Sequence, residues 1–145
     1  MSDPNPITTT SRGLHWLLDN ILDKTPGTRE VLVLSRDGLK MCFTPGLGED
    51  GADQLSAIAA GVQSLSLSAS AEFGDGKGSG QAMLEFGGGL LLIVPASAGA
   101  HLAVLAEEDA DVGLVGHNMN ELVEQIGDYL TAAPRQPVCS GEPRP

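Results

Sequence analysis

An Asp-Gly pair between two apolar runs constrains the fold of this chain more than any other feature. Asp37-Gly38 separates residues 31–34 from residues 39–43, and this pattern is a strong β-hairpin signal. One helical pattern precedes the hairpin and a second follows it. A last helical pattern comes after three more strand-like runs, which span residues 81–86, 90–94 and 102–106. The predicted order of elements is therefore helix-ββ-helix-βββ-helix.

The hydrophobic pattern of the strands predicts one sheet. The first, fourth and fifth strands are almost continuously apolar, which is typical of central strands covered on both faces. The second strand includes Lys40 and the third alternates apolar with polar residues, so these two are predicted edges. A hairpin and a meander joined through their innermost strands predict a five-stranded, mostly antiparallel sheet of order 2-1-5-4-3. The fold class is α/β (α+β) and profilin-like, with the first and last helices on one face and the middle helix on the other.

Length and composition fit one domain. A chain of 145 residues can bury roughly two thirds of its unfolded surface. We expect the domain to span residues 10–133, between a disordered N-terminus at 1–9 and a disordered, Pro-rich tail at 134–145. The sequence contains no leader pattern and no run of about 18 apolar residues. These features predict a cytoplasmic protein without membrane insertion.

The chain is strongly acidic. Its 8 Lys and Arg residues and 19 Asp and Glu residues give a formal net charge of −11 at pH 7. Nucleic-acid binding relies on clustered Lys and Arg side chains, and the sequence has no such cluster. We therefore expect no nucleic-acid partner.

Residue types that catalyse reactions or bind metals form no recognisable motif. Cys42 lies in a predicted strand and Cys139 in the tail, so two ordinary thiols are expected. His117 and Glu121 are four apart on the last helix and are interpreted as an exposed pair. Residues 74–80 fit neither GxxxxGKS/T nor GxGxxG and are interpreted as a flexible connection. We predict that the protein is not an enzyme and has no metal or other cofactor.

The middle helix has an unusual surface. Between Leu55 and Ala71 it carries no charged residue, whereas a solvated helix usually carries Glu and Lys. Its inward stripe is predicted to be Leu55, Ile58, Ala59, Val62, Leu65 and Ala69. The outer surface, together with the third strand as an uncovered edge, is interpreted as a homodimer interface. The predicted interface residues are Ala60, Ser64, Leu67, Ser68, Gln81, Met83 and Glu85. A merely Ser- and Ala-rich exposed helix is the alternative interpretation.

Several segments resemble the Roadblock/dynein light-chain family. The main ones are residues 29–39 and 55–65, and further matching features lie at residues 14–20, 102–106 and 114–119. The resemblance covers residues 14–130 and rests on the combination of segments, since no single motif is diagnostic. It is closest to the bacterial members encoded in conservon operons, beside a sensor kinase-like protein and a Ras-like GTPase.

The resemblance implies a non-catalytic, dimeric scaffold or regulator that binds a Ras-like small GTPase in a bacterial signalling complex. A sensor kinase-like protein is the second partner that it implies. Dimers of the family join their third strands into one continuous sheet and pack their second helices beside each other. This implication agrees with the self-association surface inferred from the middle helix and the third strand.

A small-molecule sensory domain of the PAS or profilin-like type is the alternative from a different functional class. PAS domains usually insert several helices between the second and third strands, whereas only one helix fits between Gly51 and Phe73. Three Phe, one Tyr and one Trp also leave little aromatic lining for a ligand pocket. An enzyme is the third functional class considered, and it is the least favoured.

Overall fold

The computed structural model describes residues 6–77 and 81–132, with the backbone alone for residues 6–12, 98 and 129–132. Its helices and strands, in chain order, are α1 (Pro6–Lys24), β1 (Thr28–Leu34), β2 (Lys40–Phe43), α2 (Gly48–Phe73), β3 (Ala82–Phe86), β4 (Gly89–Pro95), β5 (His101–Ala106) and α3 (Val112–Ala132). The strands form one sheet of order β2-β1-β5-β4-β3, and the described pairs are antiparallel. The predicted element order and strand order are confirmed.

Helix α1 begins at Pro6, four residues before the expected start of the domain at residue 10. Proline suits the first turn of a helix because the N–H that it lacks would have no intrahelical partner there. Residues 1–5 of the expected N-terminal segment and the tail at 134–145 lie outside the described residues. Residues 78–80 of the glycine-rich connection do so as well.

Glycine closes the β1–β2 turn as the Asp-Gly signal predicts. The Ser35 N–H donates to the Leu39 carbonyl at 2.8 Å, and the Gly38 N–H donates to the Ser35 carbonyl at 2.9 Å. Gly38 has a φ of 83°, a left-handed conformation that costs residues with a Cβ more than it costs glycine. The predicted hairpin is confirmed.

Two hydrophobic clusters lie on opposite faces of the sheet. The first joins α1 and α3 to the sheet through the helix residues Leu14, Leu17, Leu18, Ile21, Val115, Met119, Leu122 and Ile126. The second joins α2 to the other face through Ala52, Leu55 and Ala59. Burying one large aliphatic side chain contributes about 1.5–3 kcal/mol, so the first cluster anchors its two helices strongly. The predicted placement of two helices on one face and one on the other is confirmed.

The inward stripe predicted for α2 is only partly correct. Leu55 and Ala59 are buried, but Ile58 is 50% exposed and Leu65 is 72% exposed. Ile58 lies on the flank of α2 beside Leu84 and Phe86 of β3, which leave half of its side chain exposed. Leu65 is near the end of the sheet, because the neighbouring Ser66 donates its hydroxyl to the carbonyl of Gln81, just before β3. The 26 residues of α2 rise about 39 Å, whereas a seven-residue strand rises about 23 Å, so the helix is longer than the sheet.

The expectation of an ordinary thiol is wrong for Cys42. This residue is fully buried in β2 and is disulfide-bonded. Local spacing could not indicate this, because a disulfide depends on the approach of two Cβ atoms through the tertiary fold. Cys139 lies outside the described residues.

Candidate dimer and partner interface

Strand β3 is an edge of the sheet. It pairs with β4, where Leu84 lies opposite Leu91, and no second strand among residues 6–77 and 81–132 pairs with it. The side chains of Met83 and Glu85 are exposed. An edge of this kind presents backbone N–H and C=O groups that can pair with a strand of another chain.

The side chains of β3 alternate between the two faces of the sheet. Leu84 lies opposite Leu91, a member of the cluster under α2, so it points to the α2 face. Met83 lies opposite Leu92, a member of the cluster under α1 and α3, so it points to the other face. Phe86 shares the α2 face with Leu84 because the side-chain period of a strand is two.

An apolar groove of about 410 Å³ opens between α2 and this edge, and we call it the α2–β3 groove. Its lining residues are Leu47, Gly51, Gln54, Leu55, Ile58, Leu84, Phe86, Leu91 and Leu105. Gln54 is the one polar side chain among them. Ile58, Leu84 and Phe86 are all exposed. Contiguous exposed apolar surface of this kind marks protein or ligand interaction sites.

The opposite flank of α2 is tied to β2. Lys40 Nζ lies 2.6 Å from Asp53 Oδ1 and 3.3 Å from Glu49 Oε1. The hydrogen bond to Asp53 raises the pKa of Lys40, and the Glu49 carboxylate adds to this effect. A Cβ at Gly38 would lie 3.1 Å from the Cβ of Ala60, so the β1–β2 turn also sits against this flank. The flank that borders the α2–β3 groove is open at Ile58, whose side chain is half-exposed.

A domain profile places this architecture in a known family. The profile of the Roadblock/LC7 domain matches residues 14–106, which run from α1 to the end of β5. The chain belongs to the Roadblock/LC7 family. The crystal structure of a Roadblock/LC7 domain from Streptomyces avermitilis is 38% identical to it, with a TM-score of 0.76. That match covers 81% of this chain and 97% of the other.

Two more distant structures share the fold of this Roadblock/LC7 domain. The gliding protein MglB from Thermus thermophilus is 18% identical, with a TM-score of 0.72 over 92% of this chain and 96% of that one. A chain of the LokiProfilin1–rabbit actin complex is 15% identical, with a TM-score of 0.56 over 81% and 96%. At these identities the likeness shows the fold alone, and it confirms the profilin-like architecture. No curated protein matches the sequence.

The four predicted interface residues on α2 occupy two different sides of the helix. Ala60 lies against the β1–β2 turn, and Leu67, seven residues later, is on the same flank. Ser64 and Ser68 are exposed and four residues apart, so they share the outer face of α2. Neither pair borders the α2–β3 groove.

The three predicted interface residues in and next to β3 lie on the far face of the sheet. Met83 and Glu85 alternate with the residues that point to α2, so their side chains point to the α1–α3 face. Gln81 and Met83 border a second groove of about 340 Å³ together with Val112 and Gly116 of α3. The structure therefore does not bring the seven predicted residues into one patch.

The apolar part of the candidate interface was not among the residues predicted from the sequence. Ile58, Leu65 and Phe73 are exposed on α2, and Leu84 and Phe86 are exposed on β3. Phe73 is 90% exposed at the end of the helix. One available signal was helix length, because the helical pattern between Gly51 and Phe73 is longer than any of the predicted strands.

The other candidate motifs of this Roadblock/LC7 domain have structural explanations. His117 Nε2 lies 3.4 Å from Glu121 Oε2 on an exposed surface, as interpreted from their spacing. Gly74 and Gly76 donate their N–H groups to the Ser70 carbonyl at 2.9 and 3.0 Å and end α2, whereas a phosphate loop opens a helix. Within the described ranges, no group of three or more His, Cys, Asp or Glu side chains could hold a metal ion. No helix of these ranges is long and apolar enough to cross a membrane.

His101 is a buried titratable group that the sequence did not single out. It begins β5 opposite Leu34 and is 7% exposed. Burial lowers its pKa, because an imidazolium ion loses its hydration there, and a hydrogen bond with the Gly99 backbone opposes the shift. The side chain is therefore neutral at pH 7.

Proposed function

We propose that this Roadblock/LC7 domain is a non-catalytic, dimeric scaffold or regulator that binds a Ras-like small GTPase in a bacterial signalling complex. The observation that carries the proposal is the α2–β3 groove beside the edge strand β3. Two subunits related by a two-fold axis beside β3 would cover both the groove and the edge strand, because the same patch of each subunit meets its own copy. A sensor kinase-like protein is the second proposed partner, and the proposed location is the cytoplasm.

Backbone pairing and apolar burial together support the dimer. Strand β3 offers a ladder of hydrogen-bonding groups, and Ile58, Leu84 and Phe86 beside it are exposed to solvent in the single chain. Permanent homodimer interfaces have apolar centres of this kind. Pairing would remove these side chains from water and satisfy the edge at the same time.

The proposed GTPase site is a surface that both subunits build. The outer face of α2, which includes Ser64 and Ser68, belongs to a stretch without charge from Leu55 to Ala71. Small, uncharged side chains let another protein surface approach the helix closely. A two-fold dimer sets two such faces side by side, and a composite site exists only in the dimer. The apparent affinity for the GTPase would then follow the dimer fraction.

A small-molecule sensory function is the second candidate, because the groove has the right size for it. Its volume of about 410 Å³ is within the roughly 300–1,000 Å³ of ligand sites. Such sites usually orient their ligand with several convergent polar groups, whereas Gln54 is the one polar side chain in this lining. The groove also opens at the edge strand, where a second subunit would cover it. We therefore favour a protein partner.

Light scattering, calorimetry and a pull-down test the proposal. At micromolar concentration the wild-type chain should have the mass of a dimer, and calorimetry with GTP should show no binding. The immobilised protein should retain the Ras-like GTPase encoded beside it in its GDP or GTP form. A monomeric mass would contradict the dimer, and saturable GTP binding would contradict the non-catalytic role. If the immobilised protein retains neither form of the GTPase, the proposed GTPase-binding role is contradicted, whereas the proposed dimer is not.

A further inference from the structure

The disulfide of Cys42 lies inside the domain, on strand β2. Cys42 is opposite Val33, is fully buried, and belongs to the cluster that joins α1 and α3 to the sheet. Its sulfur is disulfide-bonded. The chain has two cysteines, Cys42 and Cys139, so a bond within one chain has a single possible partner for Cys42.

The burial of Cys42 also argues against a bond to the same residue of a second copy. The two Cβ atoms of a disulfide lie about 3.5–4.5 Å apart. Cys42 is enclosed by the α1–α3 face of its own domain, so two such strands cannot bring their Cys42 side chains this close without opening both cores. A cysteine on a segment outside the folded domain does not meet this obstacle.

Helix α3 ends at the end of the sheet where β2 begins. A Cβ at Gly127 would lie 2.8 Å from Ser97 Oγ, so the last turns of α3 lie beside the connection between β4 and β5. The start of β2 is at the same end, because His101 lies opposite Leu34 and Leu34 lies opposite Lys40. The chain therefore leaves α3 at the end of the sheet that is nearest to Cys42.

The chain beyond α3 is long enough to reach Cys42. Helix α3 contacts β4 and β5, two to three strands from β2, or about 10–14 Å across the sheet. The step from the helix layer to the sheet is about 10 Å, and the offset along the strands is about 17 Å, so the path is roughly 22–25 Å. The seven residues from Ala132 to Cys139 span up to about 23–25 Å, and a disulfide adds about 5.5 Å between Cα atoms.

We infer that a disulfide between Cys42 and Cys139 of the same chain ties the C-terminal tail to strand β2. The tie lies on the α1–α3 face, at the edge of the sheet opposite β3. Its length leaves the connection from α3 almost no slack, so the tail takes a nearly direct path to β2. The inference rests neither on the proposed dimer nor on the proposed GTPase partner.

The bond forms by thiol–disulfide exchange with a small-molecule disulfide. One cysteine thiolate attacks a sulfur of that molecule, forms a mixed disulfide and expels one small thiolate. The second cysteine thiolate attacks the protein sulfur of the mixed disulfide and expels the other small thiolate. The two cysteine thiols thus lose two protons and two electrons, and the small disulfide becomes two thiols. In the proposed cytoplasmic location, where most thiols are kept reduced, such a bond would be a redox-sensitive tether.

Peptide mapping of the full chain tests the pairing. Isotope-labelled and unlabelled proteins are reduced, mixed in urea, refolded, freed of reductant and oxidised with glutathione disulfide. Remaining thiols are alkylated, and trypsin then releases the peptides of residues 41–77 and 136–145. These two peptides should be joined by a disulfide, with both halves carrying the same label. The matched control is Cys42→Ala, which should give no linked peptide and should keep a glutathione on Cys139.

The other outcomes contradict the inference. If the two halves carry the labels in random combination, the partner cysteine belongs to a second copy of the chain. If the wild type behaves like Cys42→Ala and keeps a glutathione on Cys139 while Cys42 is alkylated, the tail does not reach β2. Either result overturns the tether. Neither changes the mass or the pull-down results that test the proposed function.

Discussion

Asn118 of α3 donates a hydrogen bond of 2.7 Å to the hydroxyl of Thr25, which lies between α1 and β1, and both side chains are buried. The Thr25 carbonyl accepts a second hydrogen bond, of 2.8 Å, from the Thr28 hydroxyl. A buried polar group that loses its partner costs about 1–3 kcal/mol. This contact therefore fixes the last helix to the start of the sheet across 93 residues of sequence.

Replacing Asn118 should destabilise the domain measurably. Asn118→Ala removes the donor to Thr25 and is expected to lower the free energy of unfolding by about 1–3 kcal/mol in urea titrations. The matched control is Asn120→Ala on the same helix, at an exposed position, with an expected change within about 0.5 kcal/mol. If the two variants unfold at the same urea concentration, the buried hydrogen bond has no energetic role.

Removing the hydroxyl of Ser56 should not destabilise the domain. Ser56 is 2% exposed on α2, and its Oγ has no hydrogen-bond partner among the residues that the structure describes. An unsatisfied buried hydroxyl is unfavourable, and Ala has the higher helix propensity. Ser56→Ala should therefore leave the free energy of unfolding unchanged or raise it by up to about 1 kcal/mol. The control, Ala52→Ser on the same buried side of α2, should lower it, and a loss of stability in Ser56→Ala would contradict the assignment.

Acid should destabilise the domain through His101. Its pKa is lowered by burial, so the folded protein takes up this proton less readily than the unfolded chain. The contribution of His101 to the free energy of unfolding is constant above the ordinary pKa of about 6.5. It is lost as the pH falls from there towards the lowered pKa. Unfolding free energies measured at pH 7.5 and 5.5 should differ less in His101→Gln than in the wild type. Identical differences in both proteins would show that His101 does not contribute.

A charge at Leu84 should separate the proposed dimer without unfolding the subunit. Leu84 is 37% exposed in the single chain and lies at the centre of the edge strand. Leu84→Arg places two like charges near the proposed two-fold axis, so the mass in light scattering should fall to that of a monomer. Leu39→Arg, at an exposed position on the β1–β2 turn, should remain dimeric. A dimeric Leu84→Arg protein that melts like the wild type would exclude β3 as the contact.

The candidate site was predictable from the sequence only in part. The absence of charge between Leu55 and Ala71 drew attention to α2, and the alternation of residues 81–86 identified the edge strand. Which side of α2 remains open depends on Lys40 of β2, which forms ion pairs with Asp53 and Glu49 of the helix. Periodicity within α2 carries no information about that contact.

The sequence by itself determined the hairpin, the element order and the strand order of this protein. Asp37-Gly38 and the apolar runs act over a few residues, so their geometry follows from local chemistry. Only the tertiary structure decided which apolar residues are covered. Ile58, Leu65 and Phe73 have the spacing of a buried stripe, but burial depends on where the neighbouring strands and helices end. Because α2 is longer than the sheet beneath it, the same apolar spacing places Leu55 in the core and Phe73 on the exposed surface.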